Sequence, residues 1–377
     1  MRIAISINRS WNIYNFRAGL VRALVAEGHE VIAIAPKDQY SRLLMKMGCR
    51  FFPLEVENTG SNPVKDLLLY FEYLKIYKKI QPDIVLQYTI KPNIYGTLAA
   101  KSLKIPVINN VSGLGTVFLN NGLVSYIAQL LYKLAFRRTD LVFFQNEDDR
   151  KEFLNIINLP KLKTDLLPGS GINLTRFTPQ PKLNGQNFTF LMISRIIKDK
   201  GIYEYINMAR MAKENKLDAT FQLLGEPDVG HRRGISKEEL ETWHKEGIIE
   251  YLGVTDYVGD VIKEADCVVL PSYREGTPKT LLEGAAMAKP LIATDVAGCR
   301  QVVVEGKNGF LCKVKDEVSL FEAVKKMYTL DKEELQKMGL NGREYIEKNY
   351  DENIVIEKYL YWIEKLGSKS DFHPVKL

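Results

Sequence analysis

The sequence predicts an α/β protein of two doubly wound domains facing a central cleft, and three observations carry that reading. Short apolar runs alternate with segments of helical periodicity, the pattern of a parallel sheet covered on both faces. A stretch rich in Gly, Pro and Asn, from Pro168 to Gly185, interrupts the alternation and reads as a linker. Beyond it the alternation restarts. With 377 residues, 46% of them hydrophobic, the chain is long enough to bury two cores. The expected division is a first domain over 1–170, a linker over 171–187, a second domain over 188–350 and a crossing helix and tail over 351–377.

In order along the first domain, Arg2 to Asn8 reads as a strand, Phe16 to Glu27 has helical spacing, and Glu30 to Pro36 is a second apolar strand. A helix over Ser41 to Met47, a strand at Phe51 to Leu54 and a helix over Val64 to Lys79 follow, then the strand Asp83 to Gln87. A Gly- and Ala-rich helix over Ile94 to Leu103 leads to the strand Pro106 to Asn110, a long helical stretch ending at Arg138, and the strand Leu141 to Gln145. The second domain repeats the scheme. Its strands are Phe188 to Ile193, Thr220 to Leu224, Ile249 to Leu252, Cys267 to Leu270, Leu291 to Thr294 and Gly309 to Cys312. Its helices are Tyr203 to Asn215, Val258 to Glu264 and Leu281 to Ala288. An amphipathic helix, Ile354 to Leu366, is expected to cross back onto the first domain. Ligands of such sheets bind at the carboxyl ends of the strands, so the shared cleft is the expected site.

Composition excludes several classes. The four cysteines (Cys49, Cys267, Cys299, Cys312) and four histidines (His29, His231, His244, His373) show no metal-ligand spacing, so neither a disulfide framework nor a zinc site is expected, and the thiols are expected to be reduced in a cytoplasmic protein. The N-terminus lacks the apolar core of a signal peptide, and no run reaches the ~18 apolar residues of a membrane span. Up to Thr175 there are 22 Lys and Arg against 14 Asp and Glu, a net +8; the remainder carries 30 against 32, a net −2. The basic residues are dispersed, without an aromatic platform, which disfavours nucleic acid as a partner.

The segment Tyr273 to Gly284 places Glu275 and Glu283 eight positions apart across a loop-to-helix junction. Gly276, Thr277 and Pro278 at a helix start aim backbone N–H groups and the positive end of the helix dipole outward, which suits a diphosphate or sugar hydroxyls; Lys279, Thr280 and Leu281 continue that turn. Glu283, about two turns along the helix, is placed to accept from ribose hydroxyls. Arg195 and Lys200, in the loop after the first strand of the second domain, offer a planar fork and a point charge, the combination expected for a diphosphate leaving group. No Asp-x-Asp occurs, so cationic side chains and the helix dipole are expected to carry that charge without metal or cofactor.

These motifs, with Lys91 to Gly96, Gly113-Leu114-Gly115, Asp140 to Asn146, Ser170 to Asn173, Glu250 to Asp260 and Thr294 to Arg300, resemble the retaining glycosyltransferases of the GT-B fold, two Rossmann-like domains, that assemble bacterial capsule, O-antigen and protein-linked glycans. The resemblance covers nearly the whole chain. It implies that Arg195 and Lys200 stabilise the departing nucleotide diphosphate, that Glu275 holds the transferred sugar and that Glu283 binds the ribose. It places Val254 and Tyr257 either against the base or in the core. It implies a UDP-sugar donor, an N-acetylhexosamine by preference, and front-face attack on an oxocarbenium-like centre with retention of configuration. Many relatives carry a histidine just before the glycine matching Gly113; here it is Ser112, which reads as substrate tuning.

The resemblance also implies an acceptor saccharide on a polyprenyl diphosphate, with Arg17 and Lys91 as phosphate anchors. Asn12, Tyr14, Asn93, Ser112 and Gly113 complete the expected acceptor side, and Trp11 either faces a sugar or lipid or is packed. The stretch Phe118 to Arg138 combines an apolar stripe with a basic flank, which fits either a core helix or an interfacial one. The basic first half favours peripheral contact at the inner face of the cell membrane. The rival readings are a non-hydrolysing UDP-sugar 2-epimerase, which shares the fold, and an inactive nucleotide-sugar binding protein.

Overall fold

The computed structural model describes residues 1–56, 62–114, 123–159, 162–183, 187–228 and 233–367. The chain divides into two compact units, Met1–Ser170 with Asn353–Leu377, and Gly171–Glu352. In the first unit the strands are β1 (Arg2–Ser6), β2 (Glu30–Ala35), β3 (Arg50–Pro53), β4 (Ile84–Tyr88), β5 (Val107–Val111), β6 (Leu141–Phe144) and β7 (Thr164–Leu166). They are parallel, in the order β3-β2-β1-β4-β5-β6-β7, and every residue of β4 and β5 is buried, as covering on both faces demands. The order reverses between β1 and β4, where doubly wound sheets open a ligand crevice.

One face of this sheet carries Leu20, Val21 and Leu24 of the helix Ser10–Ala26 and Tyr359 and Ile363 of the terminal helix Glu352–Gly367. The other carries Tyr73 and Tyr77 of the helix Pro63–Ile80 and Tyr132 and Phe136 of the helix Leu123–Phe136. The first helix begins at Ser10, six residues before the expected start. Buried Ile13, Arg17, Leu20, Val21 and Leu24 share one face throughout, whereas the poor helix formers Asn12 and Asn15 make its opening read as loop.

The second unit holds β8 (Phe188–Ile193), β9 (Ala219–Leu224), β10 (Glu250–Tyr251), β11 (Cys267–Leu270), β12 (Leu291–Thr294) and β13 (Gly309–Cys312), parallel in the order β10-β9-β8-β11-β12-β13. The segment that composition marks as a linker is fixed from its start. Ile172 and Phe177 are buried in the core of this unit, and Arg343 Nη1 donates to the carbonyls of Phe177 (2.6 Å) and Ala286 (2.7 Å). Four longer helices beyond those expected, Glu147–Ile157, Lys237–Lys245, Glu317–Tyr328 and Lys332–Asn349, and a short one, Ala297–Arg300, complete the two units among the described residues. All four cysteines are buried free thiols.

Candidate active site

Five loops at the carboxyl ends of β8, β9, β10, β11 and β12 build the site of the second unit. The loop after β8 ends in a short 3₁₀ turn, Lys198–Lys200, closed by Gly201 at φ 76°. A Cβ on Gly201 would lie 2.0 Å from the carbonyl oxygen of Pro271, so only glycine lets this turn rest on the loop after β11. Tyr273 N–H donates to the Asp199 carbonyl (2.9 Å) and Ser272 Oγ donates to the same oxygen (3.3 Å). The loop after β12 approaches from the other side: a Cβ on Gly298 would stand 2.1 Å from the Gly276 oxygen and 2.6 Å from the Glu275 oxygen.

Between these clamps Lys200 and Glu275 form an ion pair, with side chains only 19% and 12% exposed. The two residues are thus in direct contact. Arg195 is 63% exposed, its Nη1 3.7 Å from Asp228. Arg233 Nη1 donates to both carboxylate oxygens of Asp199, at 2.6 and 2.7 Å. Cys299 lies close enough for Glu275 to add to the effect of burial, which holds its thiol neutral.

The helix after the Glu275 loop runs from Lys279 to Ala286, two residues earlier than expected, and starts at Pro278 without a side-chain cap. Glu283 is buried on it, with Lys279 Nζ 3.6 Å away. Burial pushes its carboxyl above the usual range, against the pull of Lys279 and then Arg176. Two residues expected to bind nucleotide-sugar are engaged elsewhere. Leu281 is fully buried in the core and its N–H donates to the Pro278 carbonyl (3.1 Å), so it has nothing to offer a ligand. Thr280 Oγ1 donates to the Ile193 carbonyl (3.1 Å), anchoring the helix start to β8. Gly276 and Thr277 are partly exposed and Pro278 is buried. Val254 and Tyr257 are 65% and 75% exposed, which rules out their packing in the core and leaves them free to meet a planar base.

Arg176 is a residue that sequence reading passed over. Its Nη2 donates to the Asp256 carbonyl (3.2 Å), and its charge acts on Glu283, so it joins the Val254–Tyr257 loop to the buried carboxyl. The turn that presents it was legible: Asn173 Oδ1 accepts from the Arg176 N–H three residues on (2.7 Å), a cap-type bond that asparagine favours.

In the first unit the expected acceptor residues turn out to be of two kinds. Asn12 and Tyr14 are partly exposed on the helix Ser10–Ala26, and Ser112 is exposed beside partly exposed Gly113 after β5. Trp11 is 38% exposed, edge-on to Phe16. The other three face inward. Lys91 Nζ pairs with Asp66 (2.8 Å), which also accepts from Tyr95. Asn93 is buried, its amide donating to the Asn110 carbonyl and accepting from Asn109, so it braces β5 and meets no acceptor. Arg17 is 5% exposed, its guanidinium 4.6 Å from the centre of the Tyr88 ring. Gly115 and residues 118–122 of the expected interfacial helix lie outside the described residues.

Comparison with known proteins places this geometry. The family described as glycosyl transferases group 1 matches residues 175–345, and that described as glycosyl transferase 4-like matches residues 2–146. The chain is 30% identical to the N,N'-diacetylbacillosaminyl-diphospho-undecaprenol alpha-1,3-N-acetylgalactosaminyltransferase of Campylobacter jejuni, across 96% of this chain and 97% of the relative. The chain belongs to the group 1 glycosyl transferases. A second relative of this glycosyltransferase, the UDP-Gal:alpha-D-GlcNAc-diphosphoundecaprenol alpha-1,3-galactosyltransferase of Escherichia coli, is 24% identical over 76% of each chain. Among solved structures, sucrose-phosphate synthase of Thermosynechococcus elongatus has a TM-score of 0.81 at 19% identity, covering 98% of this chain and 100% of that one. Anabaena HepE in complex with UDP and glucose has a TM-score of 0.80 at 16% identity, covering 97% and 100%. The fold is GT-B.

Two outcomes follow from the clamps and the buried carboxyl. Gly298→Ala forces a Cβ onto the Glu275–Gly276 backbone, and a shift of that loop by about 1 Å should lower turnover on the order of 10²-fold while circular dichroism shows the fold retained; wild-type turnover would refute the clamp. Glu283 titrates above an ordinary glutamate, so acidification protonates it early and removes an anionic acceptor. The donor KM should therefore rise as pH falls while still above the ordinary glutamate range, and Glu283→Gln should have a raised donor KM that no longer varies there.

Proposed function

We propose that this glycosyltransferase is a retaining, metal-independent hexosyltransferase that moves an N-acetylhexosamine from a UDP-sugar to a saccharide linked to polyprenyl diphosphate. The observation that carries the reading is the Lys200–Glu275 pair held beside an uncapped helix start and the buried Glu283. A nucleoside diphosphate leaving group needs cations and N–H dipoles; Lys200, Arg195 and the helix Lys279–Ala286 supply them. Glu275 orients the transferred sugar through its hydroxyls, Glu283 takes the ribose, and Val254 and Tyr257 flank the base. Departure of the diphosphate leaves positive charge at the anomeric carbon. The acceptor hydroxyl attacks from the same face, and its proton passes to the departing phosphate oxygen, so configuration is retained. The names of the Campylobacter and Escherichia relatives, both with diphospho-undecaprenol acceptors, support the acceptor class, and the former supports the N-acetylhexosamine.

A lipid-linked acceptor calls for a membrane-facing surface. The helix Leu123–Phe136 exposes Tyr126, Ile127, Leu130 and Leu134, with exposed Arg137 and Arg138 just beyond it. The helix Pro63–Ile80 exposes Val64, Leu67, Leu68 and Phe71 on the same side of the first sheet. Apolar stripes with basic flanks lie in an interface, and each basic residue near an anionic leaflet adds ~1 kcal/mol. No helix of the described residues is long and apolar enough to cross a membrane.

The direct test incubates the purified protein, with and without EDTA, with UDP-, GDP- and ADP-sugars and a polyprenyl-diphosphate-linked saccharide. UDP release that requires the acceptor, with a mass gain of one N-acetylhexosamine unaffected by EDTA, is expected; an altered nucleotide sugar without acceptor consumption would favour the epimerase instead. Glu275→Ala should lower this turnover by on the order of 10²-fold or more, and near-normal turnover would remove its assigned role. In flotation with anionic vesicles the protein should rise with the lipid, and the double substitution Leu130→Glu, Leu134→Glu should leave it at the bottom.

A further inference from the structure

On the proposed reading base and ribose meet different elements, Val254 and Tyr257 after β10 and Glu283 on the helix Lys279–Ala286, and a third segment, residues 173–177, is fastened to both. Asn173 Oδ1 accepts from the Arg176 N–H (2.7 Å) and from Thr175 Oγ1 (2.8 Å), which closes the segment into a turn. Phe177 is buried, and a Cβ on Gly259 of the helix Val258–Glu264 would lie 4.0 Å from its ring, an ordinary contact. Arg343 Nη1 donates to the carbonyls of Phe177 and Ala286, so the turn is also tied to the last residue of the Glu283 helix.

Arg176 projects from this turn. It is exposed, so burial does not hold it, yet it is engaged on two sides. Its Nη2 donates to the Asp256 carbonyl (3.2 Å), within a stretch from Tyr251 to Tyr257 of which no residue is buried. Packing therefore does little to fix that loop, and a donor on its backbone sets its position whatever its side chains are. The charges acting on buried Glu283 are those of Lys279, from its own helix, and then of Arg176, from the turn. Arg343, on the neighbouring helix Lys332–Asn349, is turned instead to carbonyls and to Glu347. A cation beside a buried carboxyl favours its ionised form.

We infer that Arg176 is a positioning residue of the nucleoside subsite, holding the Val254–Tyr257 loop at a fixed reach from Glu283 so that base and ribose are gripped together. This rests on the UDP-sugar donor proposed above and adds what makes its two nucleoside contacts depend on each other. Arg176 acts through the Asp256 carbonyl and the Glu283 carboxyl without touching the ligand. The diphosphate is left to Lys200 and Arg195, so a loss at Arg176 follows the nucleoside and is independent of those cations.

The test is direct binding, independent of turnover and of the acceptor. UDP is titrated by calorimetry, over a descending pH series, into the full-length wild type, into Arg176→Gln, Arg176→Lys, Tyr257→Ala and Arg195→Ala, and into the doubles that join Arg176→Gln to each of the last two. Arg176→Gln should weaken UDP by about tenfold, the scale of losing one interaction with a charged group, and leave the unfolding midpoint unchanged. Joined to Tyr257→Ala it should cost clearly less than the product of the two single losses, because both act through one loop; joined to Arg195→Ala the losses should multiply to within about twofold, as independent sites do. Without the Arg176 charge the Glu283 carboxyl, already raised by burial, rises further, so UDP affinity should begin to fall at a higher pH than in the wild type. Arg176→Lys keeps the charge and should return that profile to its wild-type position, which a merely structural defect would not do. Unchanged UDP affinity in Arg176→Gln, losses that multiply with Tyr257→Ala, losses that fail to multiply with Arg195→Ala, or a lowered midpoint with a pH profile that lysine does not restore would each overturn the inference. A wild type that does not bind UDP would overturn the donor reading itself.

Discussion

The second unit depends on two backbone-to-backbone approaches that only glycine permits. Gly201 lets the Lys200 turn rest on the Pro271 carbonyl, and Gly298 lets the loop after β12 press against the carbonyls of Glu275 and Gly276. Any side chain at either position would place a Cβ within about 2 Å of an oxygen, far inside contact distance, so a loop would have to move. Because the two approaches flank the same pair of loops, they leave Lys200 and Glu275 little choice but to meet. The ion pair is a consequence of the packing, and its partial burial lets charge matter there more than at an open surface.

That pairing shapes how the site meets a ligand. Lys200 arrives already neutralised by Glu275, Lys279 leans on Glu283, and Arg195 lies near Asp228. On the proposed reading, a nucleotide sugar exchanges these partners instead of confronting bare charges: the diphosphate takes over the lysine and the sugar hydroxyls take over the glutamate. Desolvation has been met in advance by the fold, so less of the binding energy is spent on ordering side chains. Glu283 is the exception. Burial raises its carboxyl against two cations, so it takes up a proton before an ordinary glutamate does.

The Glu275 loop was legible in the sequence because Glu275, the helix start and Glu283 are contiguous, and contiguity is what motif and periodicity can read. The meeting of Lys200 with Glu275 was not legible, because the partners are 75 positions apart and are joined by two glycines whose tight approaches no local pattern signals. The four longer unread helices carried local signals of their own. Ser236 with Glu239 and Asp331 with Glu334 form capping boxes, and Asn146 and Asp316 cap two others. In the first unit the error was one of phase. Starting the first helix at Phe16 rather than Ser10 turned two helical turns into a loop, and so put Arg17 at a surface when its place on the buried stripe with Ile13, Leu20 and Leu24 sends it inward. Asn93 was misplaced for a related reason, since the turn it belongs to is a π turn, whose side-chain phase differs from that of an α-helix.

Both units pair their partly buried lysines with carboxylates, Lys91 with Asp66 in the first and Lys200 and Lys279 with Glu275 and Glu283 in the second, and Arg17 is held differently. In the second unit Lys200 and Lys279 have a carboxylate beside them, which suits a ligand that must be released as UDP after every cycle: the carboxylate competes for the cation once the sugar has gone. In the first unit Arg17 has an aromatic face and a carbonyl, and no carboxylate among the described residues pairs with it, so its burial is offset by packing and one hydrogen bond rather than by a counter-charge.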